Sequence, residues 1–144
     1  MKEVKIGNRT IPLFYSTYEM IAIQKEIGCT AFQLRDEVFG ITQEDEDDPM
    51  SIRFGCVTDQ TKTEKLGTLL RILGNAGLEE SGQEGDLTDK WILRNMKPTM
   101  IMVYAVAAMV VINEGNQVEK PAEEKQGPID EGLAEENEKK QPGN

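Results

Sequence analysis

Histidine is absent from this 144-residue chain. That removes the commonest general base and the commonest metal ligand at one stroke. Cysteine is nearly absent too. Cys29 and Cys56 stand far apart and match no paired zinc spacing. Sparse cysteine without an export signal reads as two reduced thiols rather than a disulfide. The start, "MKEVKIGNRT", has no apolar core of a signal peptide. Basic residues are in deficit, 16 against 26 acidic, for a net charge of −10. A protein that tracks a nucleic-acid backbone needs a basic stripe to displace counterions. Attraction to anionic lipid needs the same. Neither nucleic acid nor a membrane surface is therefore an expected partner.

Catalytic signatures are missing as well. No GxSxG, Walker loop or GxGxxG occurs. The glycines of "LGNAGLEESGQEG" lack the lysine and hydroxyl residue that complete a phosphate loop, and they follow a helix where such a loop follows a strand. Carboxylate pairs such as Asp36/Glu37 and Glu79/Glu80 lack the apolar flanks that would separate their pKa values. Cys29 sits just after an expected helix C-terminus, where the dipole disfavours a thiolate. The five acids Glu44 to Asp48 do not alternate around a glycine as a calcium loop does, so they read as a solvated loop. The expectation is a non-enzymatic chain with no cofactor and no metal.

What is present predicts a mainly α (α+β) fold of about five helices behind an N-terminal β-hairpin. Val4 and Ile6 alternate with polar residues, Gly7-Asn8 supplies a turn, and Ile11 and Leu13 alternate again. Ser16-Thr-Tyr-Glu19 is a capping box, followed by Met20, Ile23 and Ile27 at helical spacing and by Gly28 as a stop. Thr30-Ala-Phe-Gln33 is a second capping box for a short helix that Gly40 ends. "SIRFGCVT" alternates weakly, and strand and loop both remain open for it. Thr61-Lys-Thr-Glu64 reads as a third capping box, with Leu66, Leu69, Leu70 and Leu73 on one face and "GNAGL" as the end. Asp86 or Thr88 caps a helix carrying Leu87, Trp91, Leu93 and Met96, and Pro98 starts the last helix. Residues 1–113 form the expected domain. Residues 114–144 are expected to be a disordered acidic tail, because they hold almost no large apolar side chain.

The one long apolar run is "PTMIMVYAVAAMVVI", Pro98 to Ile112. It covers only about 22 Å as a helix, and a bilayer span needs roughly 20 residues. A buried helix of a soluble domain is the expected reading. Met96, Met100, Met102 and Met109 lie on or beside it. Thioethers suit surfaces that take varied apolar partners, and they also fill cores. Met100, Val103, Tyr104, Ala107 and Val111 form one stripe; Met102, Val106 and Met109 form another. A helix apolar all round must be covered all round, and a domain of this size can enclose few helices completely. Either the helix is central or one stripe awaits a partner. The candidate partner-binding residues are Met96, Met100, Met102, Val106 and Met109.

The order of "VKIGNRTIPLFYSTYEMIAIQKEIG", "LGTLLRILGNAGLEESG", "DLTDKWILRNMKP" and an apolar helix ending in "NEG" resembles the tail assembly chaperones of long-tailed (siphovirus-type) phages and of prophages in Gram-positive bacteria. The resemblance covers residues 2–115. It implies a non-catalytic protein that binds the tape measure protein, keeps it soluble and helps recruit tail tube subunits. Self-association is a separate expectation. It also implies action in the host cytoplasm and absence from the mature virion. Two other classes fit the composition: an acidic binding or inhibitor module, and a small helical structural subunit of the head–tail connector type.

Overall fold

The computed structural model describes residues 1–118. The tail expected beyond residue 113 lies mostly outside the described residues. Strand β1 (Lys2–Ile6) pairs antiparallel with β2 (Arg9–Leu13), Val4 opposite Ile11. Gly7, at the turn, has φ 64°, a conformation that suits glycine. The inward residues Ile6, Ile11 and Leu13 are fully buried, so the hairpin is held by what it lies on.

Helix α1 (Thr17–Glu26) opens as its sequence requires: the Ser16 N–H donates to Glu19 Oε1 at 2.9 Å. The second capping box also forms, with the Thr30 N–H donating to Gln33 Oε1 at 2.8 Å. The segment it opens is not the expected short α-helix. Residues Ala31–Gln33 make a 3₁₀ turn and Arg35–Phe39 a single π turn, ended by Gly40 in the left-handed region. The wider π turn places both Val38 and Phe39 in the core.

The stretch left open between strand and loop is in part a strand, followed by a 3₁₀ turn at Gly55–Val57. β4 (Ile52–Phe54) pairs antiparallel with β3 (Ile41–Gln43), which the sequence pattern does not announce. The acidic loop between them is tied from inside. Gln43 Nε2 donates to the carbonyls of Asp45, Glu46 and Asp48. The Ser51 hydroxyl accepts from the Asp45 N–H. The carboxylates are left at the surface, where mutual repulsion costs least.

Helix α2 (Gln60–Glu80) is the centre of the fold. Its N-cap is Asp59, whose side chain accepts from the Lys62 N–H at 3.2 Å, so the expected start at Thr61 moves upstream. Thr63 is otherwise engaged, its hydroxyl donating to the Cys56 carbonyl at 2.6 Å. The expected end at "GNAGL" is also overturned: α2 continues to Glu80. Gly67, Gly74 and Gly77 lie inside it and serve contact rather than termination. A Cβ at Gly67 would meet Leu93 at 2.6 Å, at Gly74 Leu87 at 2.7 Å, and at Gly77 the Pro12 carbonyl oxygen at 1.9 Å. The hairpin and the next helix thus sit directly on the α2 backbone, and the Phe14 N–H reaches the Leu73 carbonyl at 3.1 Å.

The connection from α2 is pinned by Asn75, which accepts from the Leu87 N–H and donates to the Leu87 carbonyl. Helix α3 (Asp89–Asn95) is capped by Thr88, which accepts from the Trp91 N–H. Arg71 joins three helices: it bonds Glu26 on α1 and, at 2.7 Å, Asp89 on α3. These contacts, Glu26 first, raise the Arg71 pKa. A 3₁₀ turn, Pro98–Met100, leads into α4 (Ile101–Gly115). Helix α4 runs two residues past the expected boundary at 113. Its end closes on Tyr15, since a Cβ at Gly115 would lie 2.6 Å from Tyr15 Cδ2. The described elements thus comprise four α-helices, a π turn and the N-terminal hairpin, as the patterning leads one to expect, with a second small ribbon added.

Candidate functional site

Helix α4 is covered on one side only. Ile101, Tyr104, Ala105, Ala107, Ala108, Val111 and Ile112 are buried against the rest of the domain. Met102, Val103 and Val106 are 49%, 51% and 43% exposed, with Met100 beside them. On a mean hydrophobic coefficient such side chains gain about 1.5–3 kcal/mol each from full burial. Several together in water form an exposed apolar patch, which makes this face the candidate site.

The exposed face is set between two concavities. One, of about 660 Å³, lies between β1 and the first half of α4, lined by Val4, Met100, Met102, Val103, Val106 and Ala107 with Lys2, Glu3 and Lys5 at its margin. The other, of about 910 Å³, lies against the β3–β4 ribbon, lined by Met50, Ile52, Phe54 and Val57. Met102 lines both. The result is one continuous apolar surface with Met102 on its ridge. Its far side includes Met50, 83% exposed, at the end of the acidic loop.

The five residues singled out from sequence part company here. Met96 is buried in the core and has no share in the surface. Tertiary packing decides this: Met96 closes α3 and falls within the core cluster. Met109 is half buried and packs on the core, lining a separate small pocket of about 180 Å³ with Leu34 and Phe39. Met100, Met102 and Val106 are brought together. Val103, Met50, Ile52 and Val57 belong to the same surface and were not foreseen. Val103 shares the stripe of Met100, Tyr104, Ala107 and Val111 and was not among the candidates. Met50, Ile52 and Val57 carried no helical period, and only the β3–β4 pairing brings them beside α4. Tyr18, Ile21 and Phe32 are exposed as well, but they line neither concavity.

The remaining reactive groups are inert in place. Cys29 and Cys56 are both buried free thiols. Burial pushes both thiols up in pKa, so neither is a ready thiolate. Burial likewise pushes the Tyr15 phenol up. Its oxygen makes no hydrogen bond, and the nearby Asn116 side chain acts against the upward shift. Among the described residues no group of three or more acids or thiols is arranged to hold a metal.

Counted with its opening turn, Pro98–Gly115 is 18 residues long, with a mean hydropathy of 1.4. By length and composition alone it reaches the minimum for a membrane span, three residues beyond the charge-free run. It is nevertheless packed along one side on β1 and α2. No protein-family model, curated protein or solved structure matches the chain.

Proposed function

We propose that this protein is a tail assembly chaperone of a long-tailed phage or prophage. It binds the tape measure protein in the host cytoplasm, keeps it soluble, helps recruit tail tube subunits and does not remain in the mature virion. It performs no catalysis. The observation that carries the reading is the exposed face of α4. Met100, Met102, Val103 and Val106 stand in water between two apolar concavities. A flexible, methionine-bearing ridge flanked by grooves suits the apolar stripe of a client helix. A tape measure protein is a long helical chain with many such stripes, so it is a client of the right chemistry.

The test is co-expression with the tape measure protein of the same phage or prophage. The expected outcome is a soluble complex recovered by pull-down. Met102→Asp with Val106→Asp is expected to abolish recovery while circular dichroism stays unchanged. Val106 is preferred to Met109 for this purpose because Met109 packs on the core. A tape measure protein that stays insoluble, with no complex, would overturn the proposal. Recovery of the chain from purified particles would favour a structural subunit instead.

A further inference from the structure

The groove between β1 and α4 has a charge unlike the rest of the molecule. Lys2 and Lys5 stand at its margin, and Lys97 continues that margin past Met100. Among the described residues none of the three is in an ion pair. Glu3 is the one acid on this rim. The floor is apolar, formed by Val4, Met102, Val103 and Val106. The wall offers more than side chains. β1 pairs with β2 along one edge only, and among the described residues its other edge makes no backbone hydrogen bond. An occupant of this groove should therefore be apolar at a few points, acidic around them, and able to meet an open strand edge.

A segment of that chemistry lies in the same chain. Residues 128–136 read "PIDEGLAEE". Ile129 and Leu133 are the only large aliphatic residues after Val118, and they stand four apart. Asp130, Glu131, Glu135 and Glu136 surround them, and no lysine or arginine falls between Lys125 and Lys139. The reach is sufficient. From Gly115 back along α4 to Met102 is about 20 Å. The stretch from Val118 to Ile129 can span at most ~36 Å. We propose that residues 128–136 dock in the β1–α4 groove of their own chain, Ile129 and Leu133 on the Met102–Val103–Val106 floor and the carboxylates toward Lys2, Lys5 and Lys97. Tethering supplies an effective concentration on the order of mM, so a segment of only mM intrinsic affinity fills the groove about half the time. Such an occupant shields the apolar face and yields to a tighter-binding client. The docking itself stands whether or not that client is a tape measure protein.

The experiment uses the full chain without any client. A nitroxide is attached at Ala134→Cys; Cys29 and Cys56 are buried and escape the label in the folded protein. Methyl signals are then read by NMR. The expected result is loss of more than half the intensity at Met102, Val103 and Val106, with Ile21 on α1 unaffected. Ile129→Asp with Leu133→Asp in the labelled chain restores the signals, and 0.5 M salt restores them in part, as an attraction between exposed charges requires. Circular dichroism of the doubly substituted chain must match the parent, so that loss of fold does not confuse the outcome. Equal broadening at Ile21 and Met102, or none at either, overturns the proposal. Broadening of the same size when label and isotope are on separate chains shows docking in trans and overturns the intrachain form. Because no client is present, either outcome leaves the chaperone proposal to its own test.

Discussion

Helices α2 and α4 reverse the relation between composition and burial. Helix α2 is the more polar, carrying Lys62, Glu64, Lys65, Arg71, Glu79 and Glu80 along with three interior glycines. Yet it is the element on which the hairpin, α1, α3 and α4 all pack, and Leu66, Leu69, Leu70 and Leu73 are wholly buried. Helix α4 has no charged side chain between Ile101 and Asn113, yet one of its faces stands in water. The difference teaches that burial follows approach distance. Glycine at 67, 74 and 77 lets neighbours reach the α2 backbone, so that helix needs only one apolar stripe to be surrounded. Helix α4 has no such groove. It is covered where β1 and α2 meet it, and the rest of its apolar circumference exceeds what a domain of this size can enclose.

The sharpest way to break that comparison is to place the same charge at adjacent positions of α4. Ala105→Asp buries an unpaired carboxylate and is expected to cost about 4 kcal/mol, enough to unfold a marginal domain. Val106→Asp, one residue on, is expected to change stability by no more than about 0.5 kcal/mol. Urea denaturation of the two variants measures both. If Val106→Asp proves as damaging as Ala105→Asp, the face is not free.

On α2 the corresponding lever is glycine. Gly77→Ala sets a Cβ against the Pro12 carbonyl, where backbone must move, and is expected to cost about 3 kcal/mol. Gly82→Ala meets nothing, though φ of 80° is unfavourable for alanine, so about 1–2 kcal/mol is expected. Thermal unfolding should rank them in that order; a reversal would mean that close approach is not what the α2 glycines provide.

The polar side of α2 contributes less. Arg71→Leu removes the links to Glu26 and Asp89, both partly exposed. A loss of about 1 kcal/mol is expected, reduced by added salt, as for other solvent-screened pairs. The smallest effect concerns its N-cap. The Lys62 N–H, the largest cause, holds the Asp59 pKa below its ordinary value. A group with a lowered folded pKa stabilises above its unfolded value and loses that contribution as pH falls through the folded one. The stability gap between wild type and Asp59→Ala should therefore be present at neutral pH and close in acid. A gap that stays constant down to about pH 2, below the range in which aspartate titrates, would show that the carboxylate does not carry the cap.

Features governed by a few adjacent residues were legible in the sequence. The hairpin turn at Gly7, the caps at Ser16, Thr30 and Thr88, the stop at Gly40 and the turn that Pro98 opens before α4 each depend on local backbone geometry and nearby hydrogen bonds. The misplaced elements had rivals at a distance or a better local option. Gly74 and Gly77 obey the rule for helix ends in isolation, but Pro12, Ile11 and Leu87 use them as contact points. Asp59, two residues upstream of the expected start, displaced the Thr61 cap by accepting from the Lys62 N–H. The site divides the same way. That α4 carries more apolar surface than one face can use was readable, and Met100, Met102 and Val106 were among the candidates, though assigned to two different stripes. Met96 and Met109 have the same side chain, yet Met96 is buried in the core and Met109 packs half-buried against it, and Met50, Ile52 and Val57 joined the surface through a strand pairing that no period marks.

By itself the sequence determined a small acidic helical domain behind a hairpin, without histidine, and with more apolar surface on its last helix than on any other. Local hydrogen bonding and periodicity are enough for that, since both act within a few residues. Only the tertiary structure decided which side of α4 is covered. That choice depends on where β1 and the β3–β4 ribbon come to rest on a helix whose glycines admit them, and such contacts join residues that no local pattern connects.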